Sequence, residues 1–390
     1  MISIYIHIPF CVKRCAYCDF ITFDNMSMFI DDYVNSVCKE IEAVSNSTNQ
    51  KLEIGTIYFG GGTPNILSIS HYEAIFNTLH NQFNCKSNCE ITMEVNPGLV
   101  NYQYLLSLTK LGINRFSIGV QSFNDFELRQ LGRIHTVEDS IKLINLIHKT
   151  NTFNISFDLI FGLPEQNKRH WENTIINSLL FKPQHISAYS LIVEDNTPIE
   201  EWINKGKVID PNQDIQADLY EYTIDKLSSA GYVHYEISNW SIWGEYESLH
   251  NKQYWLNLPY LGFGVAAHSS ANHYRTENVK TIKEYVYLLS NNNKVLTFPK
   301  SAANINAVIN DQYTEMQETM MLGLRLVKEG VSNKKFKNRY TKNILDIFNK
   351  EVEDLLGDNL IEWIYSNDDQ RLRFTRRGLL LGNRSFMKFV

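Results

Sequence analysis

Several features that mark membrane, secreted or nucleic-acid-binding proteins are missing from this 390-residue sequence. No apolar run reaches the roughly 18 to 20 residues that cross a bilayer. The first residues, MISIYIHIPFC, carry neither a positive segment nor a small-residue cleavage site. Lysine and arginine (37) are outnumbered by aspartate and glutamate (43), with no long run of one sign. We therefore expect a cytoplasmic protein that does not bind nucleic acid.

Cysteine is also scarce, and its distribution is uneven. Six cysteines in a chain of this length are too few for a disulfide-stapled scaffold. Three of them, Cys11, Cys15 and Cys18, lie close together directly after the first predicted strand. Thiolates suit iron–sulfur clusters and zinc, and a structural zinc site would need a fourth Cys or His nearby. Three thiolates on a four-iron cluster leave one iron open to another ligand, which favours a cluster over zinc.

The first 200 residues alternate between short β-branched or aromatic runs and amphipathic helical patterns. The runs predict strands at Ser3–Ile8, Ile54–Phe59, Glu90–Val95, Arg115–Val120, Ile155–Phe161 and His185–Ile192. The patterns predict helices at Phe29–Val44, Ser70–Gln82, Gln103–Leu111, Val137–Thr150 and His170–Leu180. Six β–α units without hairpin signals predict an α/β fold with a parallel sheet. Periodicity leaves open whether this sheet belongs to a barrel or is doubly wound.

The remainder of the chain is less regular. We predict a core domain at 1–210, an extension at 211–300 and a C-terminal domain at 301–390, after a polar connection at Asn291–Asn310. Three helical patterns and two β-like runs in the last segment predict a helical, winged-helix-like domain. Its low positive charge argues against DNA binding.

Polar residues recur where the predicted strands end. The segment Gly60–Pro64 follows the second strand, and consecutive glycines allow a backbone to approach a ligand closely. Glu94, Gln121 and Asp158 lie at or within the next three strands, and Arg133 follows Gln121. In a β/α barrel, functional side chains come from the carboxyl ends of different strands. The alternatives are a tight turn for the glycines and satisfied structural groups for the polar residues.

Taken together, the motifs resemble one branch of the radical-SAM superfamily, the oxygen-independent coproporphyrinogen oxidases. The segments that carry the resemblance are YIHIPFCVKRCAYCDF, FGGGTP, TMEVNPG, RFSIGVQSF, LGRIHT and DLIFGLP. The resemblance implies a partial (β/α)₆ TIM-type barrel and a [4Fe–4S] cluster on Cys11, Cys15 and Cys18. It also implies that S-adenosylmethionine contacts Tyr5, Tyr17, Gly61, Gly62, Thr63, Glu94, Gln121, Arg133 and Asp158.

Three further features are similar to the heme chaperones of this branch, the HemW family. Phe20 stands where the oxidases carry an additional cysteine, and only ten residues precede Cys11. The sequence from His250 to Trp255 is similar to the HNxxYW motif that is associated with heme in that family. The resemblance implies heme contacts from His250, Asn251, Tyr254 and Trp255. Imidazole is a common axial ligand of heme iron, and the alternative is a loop whose aromatic rings fill the core.

The resemblance therefore implies a heme chaperone on a radical-SAM scaffold. We expect it to need an electron donor for the cluster, to pass heme to an acceptor hemoprotein, soluble or membrane-bound, and to form a homodimer. The main alternative is an enzyme of porphyrin biosynthesis that decarboxylates coproporphyrinogen III oxidatively. A radical-SAM enzyme with another substrate and a non-catalytic zinc protein are weaker alternatives. Enzymatic activity is left open at this point.

Overall fold

The computed structural model describes residues 1–291, 296–366 and 368–390. Six parallel strands form the middle of a twelve-stranded sheet in this part of the chain. They are β1 (Ile2–Ile8), β2 (Glu53–Gly61), β3 (Asn84–Val95), β4 (Arg115–Gln121), β5 (Ile155–Phe161) and β6 (His185–Ser190). Their spatial order follows the chain without the reversal that marks a doubly wound sheet. The predicted α/β fold with a partial (β/α)₆ barrel is confirmed, and the described sheet is open.

Helices connect these strands. They are α1 (Ile30–Asn46), α2 (Ile69–Gln82), α3 (Tyr102–Lys110), α4 (Asp125–Gln130), α5 (Val137–His148) and α6 (Lys168–Leu180). Local sequence fixes where several of them begin. The side chains of Ser68, Asn101, Thr136 and Asn167 each accept a hydrogen bond from a backbone N–H in the first turn of the helix that follows. These caps set the lengths of the loops that surround the carboxyl ends of the strands.

The two faces of the parallel strands differ in polarity. Side chains alternate between faces along a strand, so Ile57 and Phe59 face the helices while Tyr58 faces the inside of the barrel. Glu94 and Asp158 also lie on the inner face. The apolar outer face forms the main core with the helices, and the polar inner face is left for a ligand.

The next segment widens the sheet at both ends. It contains α7 (Pro198–Asn204), α8 (Gln213–Ser229), β7 (Val233–Glu236), β8 (Asn239–Ser241), α9 (Leu249–Trp255), β9 (Tyr260–Phe263), β10 (His268–Ala271), β11 (Tyr274–Asn278), α10 (Ile282–Asn291) and β12 (Asn304–Ile309). Strand β8 pairs with β6, and β9 pairs with β1.

The polar connection predicted at Asn291–Asn310 is corrected in part by this arrangement. Its last residues form β12, which pairs with β11 at the edge of the sheet. Residues 292–295 of the prediction lie outside the described residues. An edge strand that is largely exposed needs no buried apolar face, so its sequence gives no clear alternation.

A second core lies in the C-terminal region. It contains α11 (Gln312–Gly323), β13 (Val331–Ser332), α12 (Asn333–Tyr340), α13 (Ile344–Gly357), β14 (Ile361–Ser366), β15 (Asp369–Phe374), α14 (Arg376–Leu380) and α15 (Gly382–Phe386). Met320, Phe348 and Leu372 are buried in this core. Its helices and its β14–β15 hairpin agree with the predicted winged-helix-like arrangement. The division of the chain at 210 and 300 stays a prediction.

Candidate functional site

A cavity of about 350 Å³ lies inside the barrel and opens near the carboxyl ends of the parallel strands. Every residue that the sequence predicts for the cluster or for S-adenosylmethionine lines this cavity, except Tyr5. The hydroxyl of Tyr5 instead lies 2.9 Å from Nδ1 of His7, and its ring stacks on Tyr58 at 6.1 Å between centroids. The structure therefore brings together side chains that come from five consecutive β–α units.

The loop that carries the three cysteines, residues 11–18, is called the cysteine loop here, and backbone hydrogen bonds hold it in place. The N–H of Cys11 donates to the carbonyl of Phe23 at 2.9 Å, and the N–H of Ala16 donates to the carbonyl of Leu131 at 3.0 Å. Cys11, Cys15 and Cys18 all line the cavity. Burial raises the pKa of the Cys11 and Cys18 thiols, so each favours the protonated form until a metal binds.

The donor set fits an iron–sulfur cluster better than a single ion. Among the residues that the structure describes, no three His, Cys, Asp or Glu side chains converge on one point as zinc ligands would. In a four-iron cluster each thiolate binds a different iron, so its ligands surround a larger volume. Three thiols on one loop, spread around a cavity, meet that requirement.

The glycine segment packs directly against the cysteine loop. Gly62 donates to the carbonyl of Ile8, and Thr63 donates to that of Phe10, each at 2.8 Å. A Cβ at Gly62 would lie 2.7 Å from the Phe10 carbonyl oxygen and 3.0 Å from Sγ of Cys11. Because these two backbone N–H groups are bound within the protein, the glycines serve close packing against the cysteine loop.

Glu94 is the buried carboxyl group of the cavity wall. It accepts hydrogen bonds from the Tyr58 hydroxyl at 2.9 Å and from the Gly61 N–H at 3.2 Å. Burial, with a further contribution from the charge of Asp158, raises the pKa of Glu94 to about 7. A carboxyl group held near neutrality in this way is suited to receive the ammonium group of a ligand, since that cation would lower its pKa again.

A pH-dependent stability should follow from Glu94. Its pKa in the folded chain, about 7, exceeds the ordinary value of 4.5, so its contribution to stability is complete below pH 4.5 and is lost as pH rises through 7. Relative to Glu94→Gln, the ligand-free wild type should lose about 2.5 kcal/mol of unfolding free energy between pH 5 and pH 8. Urea unfolding of both proteins measures this difference. Profiles of unfolding free energy against pH that stay parallel in the two proteins would contradict this prediction. The pKa of Glu236 is also raised to about 7, but this residue is present in both proteins, so its contribution cancels.

Arg133 links the cysteine loop to a residue that sequence reasoning missed, Asn96. Arg133 donates from Nη2 to Oδ1 of Asn96 at 2.5 Å and to the Gly119 carbonyl at 3.1 Å, and Nη1 lies 3.4 Å from Sγ of Cys15. Asn96 in turn donates to Oγ1 of Thr63 at 3.1 Å. The available signal was the position of Asn96 two residues after Glu94, on the same face of the chain as it leaves β3.

Three other residues that are predicted to contact S-adenosylmethionine also line the cavity, namely Gln121, Tyr17 and Asp158. Gln121 has a φ of +65°, a left-handed conformation that is uncommon outside glycine and often found at functional sites. Tyr17 lies between two of the cysteines and packs on an apolar cluster that includes Leu131. Both carboxylate oxygens of Asp158 accept from Oγ of Ser117 at 3.0 Å, and burial raises the pKa of Asp158.

The HNxxYW segment forms α9 and presents its residues in different directions. Asn251 lines the cavity. The imidazole of His250 is buried, with Nδ1 at 2.8 Å from Oγ1 of Thr56 and Nε2 at 2.9 Å from the hydroxyl of Tyr254. Burial, and then the charge of Arg115, lower the pKa of His250 to about 3. In this conformation the imidazole is neutral and both of its nitrogens have partners.

Trp255 lies at the far end of α9, beneath the guanidinium of Arg325 at 4.3 Å from the ring centroid. On the same helix, Lys252 forms ion pairs with Glu247 and Glu329. Arg325 and Glu329 follow α11 in the chain. The segment that the sequence associates with heme therefore connects the cavity to the C-terminal region.

Comparison with known proteins gives two family matches. The model of the radical SAM superfamily matches residues 5–176, and the model of the HemN C-terminal domain matches residues 311–381. The heme chaperone HemW of Bacillus subtilis is 35% identical to this chain over 100% of the chain and 99% of its own length. The chain belongs to the HemW family. HemW of Synechocystis is 37% identical over 83% of the chain and 77% of its own length.

A solved structure shares the fold of this HemW-family chain. The coproporphyrinogen III oxidase HemN of Escherichia coli, a radical SAM enzyme, has a TM-score of 0.83, with 21% identity over 100% of this chain and 89% of its own. At that identity the similarity concerns the fold. Membership in the radical SAM superfamily implies a [4Fe–4S] cluster and S-adenosylmethionine as cofactors. Among the described residues of this HemW-family member, no helix combines the length and the apolar character needed to span a membrane.

Proposed function

We propose that this chain is a cytoplasmic heme chaperone that binds heme and passes it to acceptor hemoproteins, membrane-bound ones included. The observation that carries the proposal is the cysteine loop, which presents three thiols to the cavity and then Phe20 where the oxidases have another cysteine. The side chain of Phe20 is 67% exposed at the cavity rim and cannot bind iron. Similarity to heme chaperones along the whole chain supports the same function.

The residues proposed for the cofactors have complementary roles. Cys11, Cys15 and Cys18 would hold the [4Fe–4S] cluster, which supplies the electron for reductive cleavage of S-adenosylmethionine when both are bound. An external electron donor would have to reduce it. Glu94 would accept the ammonium group of the methionine moiety, and Arg133 would fix Asn96 and Cys15 relative to each other. Tyr17, Gly61, Gly62, Thr63, Gln121 and Asp158 would form the rest of the S-adenosylmethionine site, with Tyr5 supporting it from behind Tyr58.

The rim of the cavity offers an apolar surface for a porphyrin. Val12, Phe20, Ile134 and Ile192 line the mouth, and each side chain is more than half exposed. Exposed apolar side chains that cluster in this way usually mark a binding site, and a planar porphyrin face suits them.

The HNxxYW residues would contribute from the inner side. Asn251 already lines the cavity, and Nε2 of His250 would become available to heme iron once the Tyr254 hydroxyl moved away. Trp255 would support α9 through its contact with Arg325.

Heme transfer from the cluster-loaded protein tests the proposal. Anaerobically reconstituted protein with S-adenosylmethionine should bind heme in a saturable absorbance titration and then transfer it to a heme-free acceptor hemoprotein. Size-exclusion chromatography of the same samples tests the homodimer that is expected from the sequence. Steady conversion of coproporphyrinogen III to protoporphyrinogen IX, without heme transfer, would replace this function with the biosynthetic oxidase.

A further inference from the structure

Arg115 is a buried cation that has no role in the proposed binding of the cluster, S-adenosylmethionine or heme. It is the first residue of β4, its side chain is 2% exposed, and it lines the inner end of the cavity. Gln121 ends the same strand six residues later, which places about 20 Å of strand between Arg115 and the residues beside the cysteine loop.

The guanidinium of Arg115 has no partner within the described chain. No described residue makes a hydrogen bond or an ion pair with it, and its Nε is fully buried without an acceptor. The carboxylate of Asp158 is close enough for the two charges to interact, but it is bound by Ser117 instead. Thr92 lies opposite Arg115 in the register of β3 and β4, and its buried hydroxyl also lacks a partner. A buried charge in a folded protein is normally paired, because an unpaired one is strongly destabilising.

The other groups around Arg115 cannot neutralise its charge. The nearby imidazoles of His185 and His250 have pKa values lowered by burial and by Arg115 itself, so both are neutral. The phenols of Tyr58 and Tyr235 also have pKa values that burial raises, so they remain uncharged. Apart from the carboxylate of Asp158, which Ser117 holds, the groups around Arg115 at the inner end of the cavity are neutral.

We propose that Arg115 is an anion subsite that binds a carboxylate group of a ligand inside the barrel. An Arg guanidinium and a carboxylate form two parallel hydrogen bonds, the pairing that this side chain lacks. Arg133 already lies beside Cys15 and is better placed for a carboxylate near the cluster. Arg115 lies close enough to His250, a proposed heme residue, for their charges to interact, which favours a propionate of the porphyrin, an assignment that rests on the proposed function. The methionine carboxylate of S-adenosylmethionine is the other source of the same chemistry.

Two substitutions test the subsite on the full-length, cluster-loaded protein. Arg115→Gln should weaken heme binding by roughly 10- to 100-fold and should leave the binding of heme dimethyl ester, which lacks free propionates, unchanged. Calorimetric titration with S-adenosylmethionine tests the other source. Arg129→Gln, which changes an exposed arginine outside the cavity, is the matched control.

Thermal unfolding of the ligand-free protein gives an independent result. Arg115→Gln and Arg115→Met should both raise Tm, because each removes a buried cation that makes no hydrogen bond or ion pair in the described chain. A higher Tm with a selective loss of heme, or of S-adenosylmethionine, supports the subsite and identifies the carboxylate. Unchanged affinity for both ligands overturns it, as does a fall in Tm for both variants. Failure of the wild type to bind heme would overturn the proposed function alone, since the S-adenosylmethionine titration would still test the subsite.

Discussion

Cys15→Ser should yield a folded protein that contains neither iron nor acid-labile sulfide after anaerobic reconstitution. The reason is that two thiolates do not hold a four-iron cluster in place, and no other described Cys or His lines the cavity next to them in a position to substitute. Among the described residues, His135 is the one imidazole that lines the cavity; it faces Arg133 and has a pKa lowered to about 4, mainly by burial. Iron and sulfide analysis of the purified variant measures the effect.

Cys85→Ser is the matched control for this experiment. Cys85 is a free, half-buried thiol on β3 and does not line the cavity. Its serine variant should keep the full iron and sulfide content of the wild type. A Cys15→Ser variant with a complete cluster would show that a ligand outside the cysteine trio can hold the iron assigned to Cys15, and the proposed site would then be wrong.

The parallel half of the fold could be predicted because its signals are local. Ile155–Phe161 has the same bounds in prediction and structure, since a mainly apolar run of that length, rich in β-branched and aromatic residues, favours a buried strand. The choice between barrel and doubly wound sheet needed the strand order, which no single strand encodes. Strand β12 was missed for the related reason that its stability comes from pairing with β11 and not from a buried face of its own.

The residues of the site could be predicted better than their hydrogen bonds. Glu94 and Asp158 stood out as carboxylates in apolar strands, and both line the cavity. The sequence could not show that the N–H groups of Gly62 and Thr63 are bound by the carbonyls of Ile8 and Phe10, because these acceptors lie some 50 residues away in the chain. For the same reason the sequence could not show that Arg115 lacks a hydrogen-bond partner, because this depends on which side chains pack around it in the barrel.

His250→Ala is expected to have the second large effect, on stability as well as on heme. Thr56 donates its own proton to Oγ of Ser3, so Nδ1–H of His250 donates to Thr56 and Nε2 accepts from the Tyr254 hydroxyl. Removal of the imidazole takes one hydrogen-bond partner away from each of the hydroxyl groups of Thr56 and Tyr254, and it opens a cavity next to Tyr58. The free energy of unfolding should fall by about 3 kcal/mol, as measured by urea unfolding of the ligand-free protein.

The same variant should bind heme at least about tenfold more weakly, with its cluster content unchanged. The hydrogen bond from Nδ1–H to Thr56 orients the ring in the way that metal-binding imidazoles are usually oriented. The lone pair on Nε2 is then the group that could reach iron, and in this conformation the Tyr254 hydroxyl occupies it.

Tyr254→Phe separates a ligand from a supporting residue. This substitution removes only the hydroxyl that covers Nε2 and keeps the ring, which packs edge-on against Tyr260 at 4.7 Å between centroids. If His250 binds the iron, Tyr254→Phe should retain or strengthen heme binding, because the lone pair no longer has to be released first, while His250→Ala should shift the heme absorbance bands. Equal weakening in both variants, with unshifted bands, would show that the pair only positions α9, and Asn251 would then be the residue of this helix that meets the ligand.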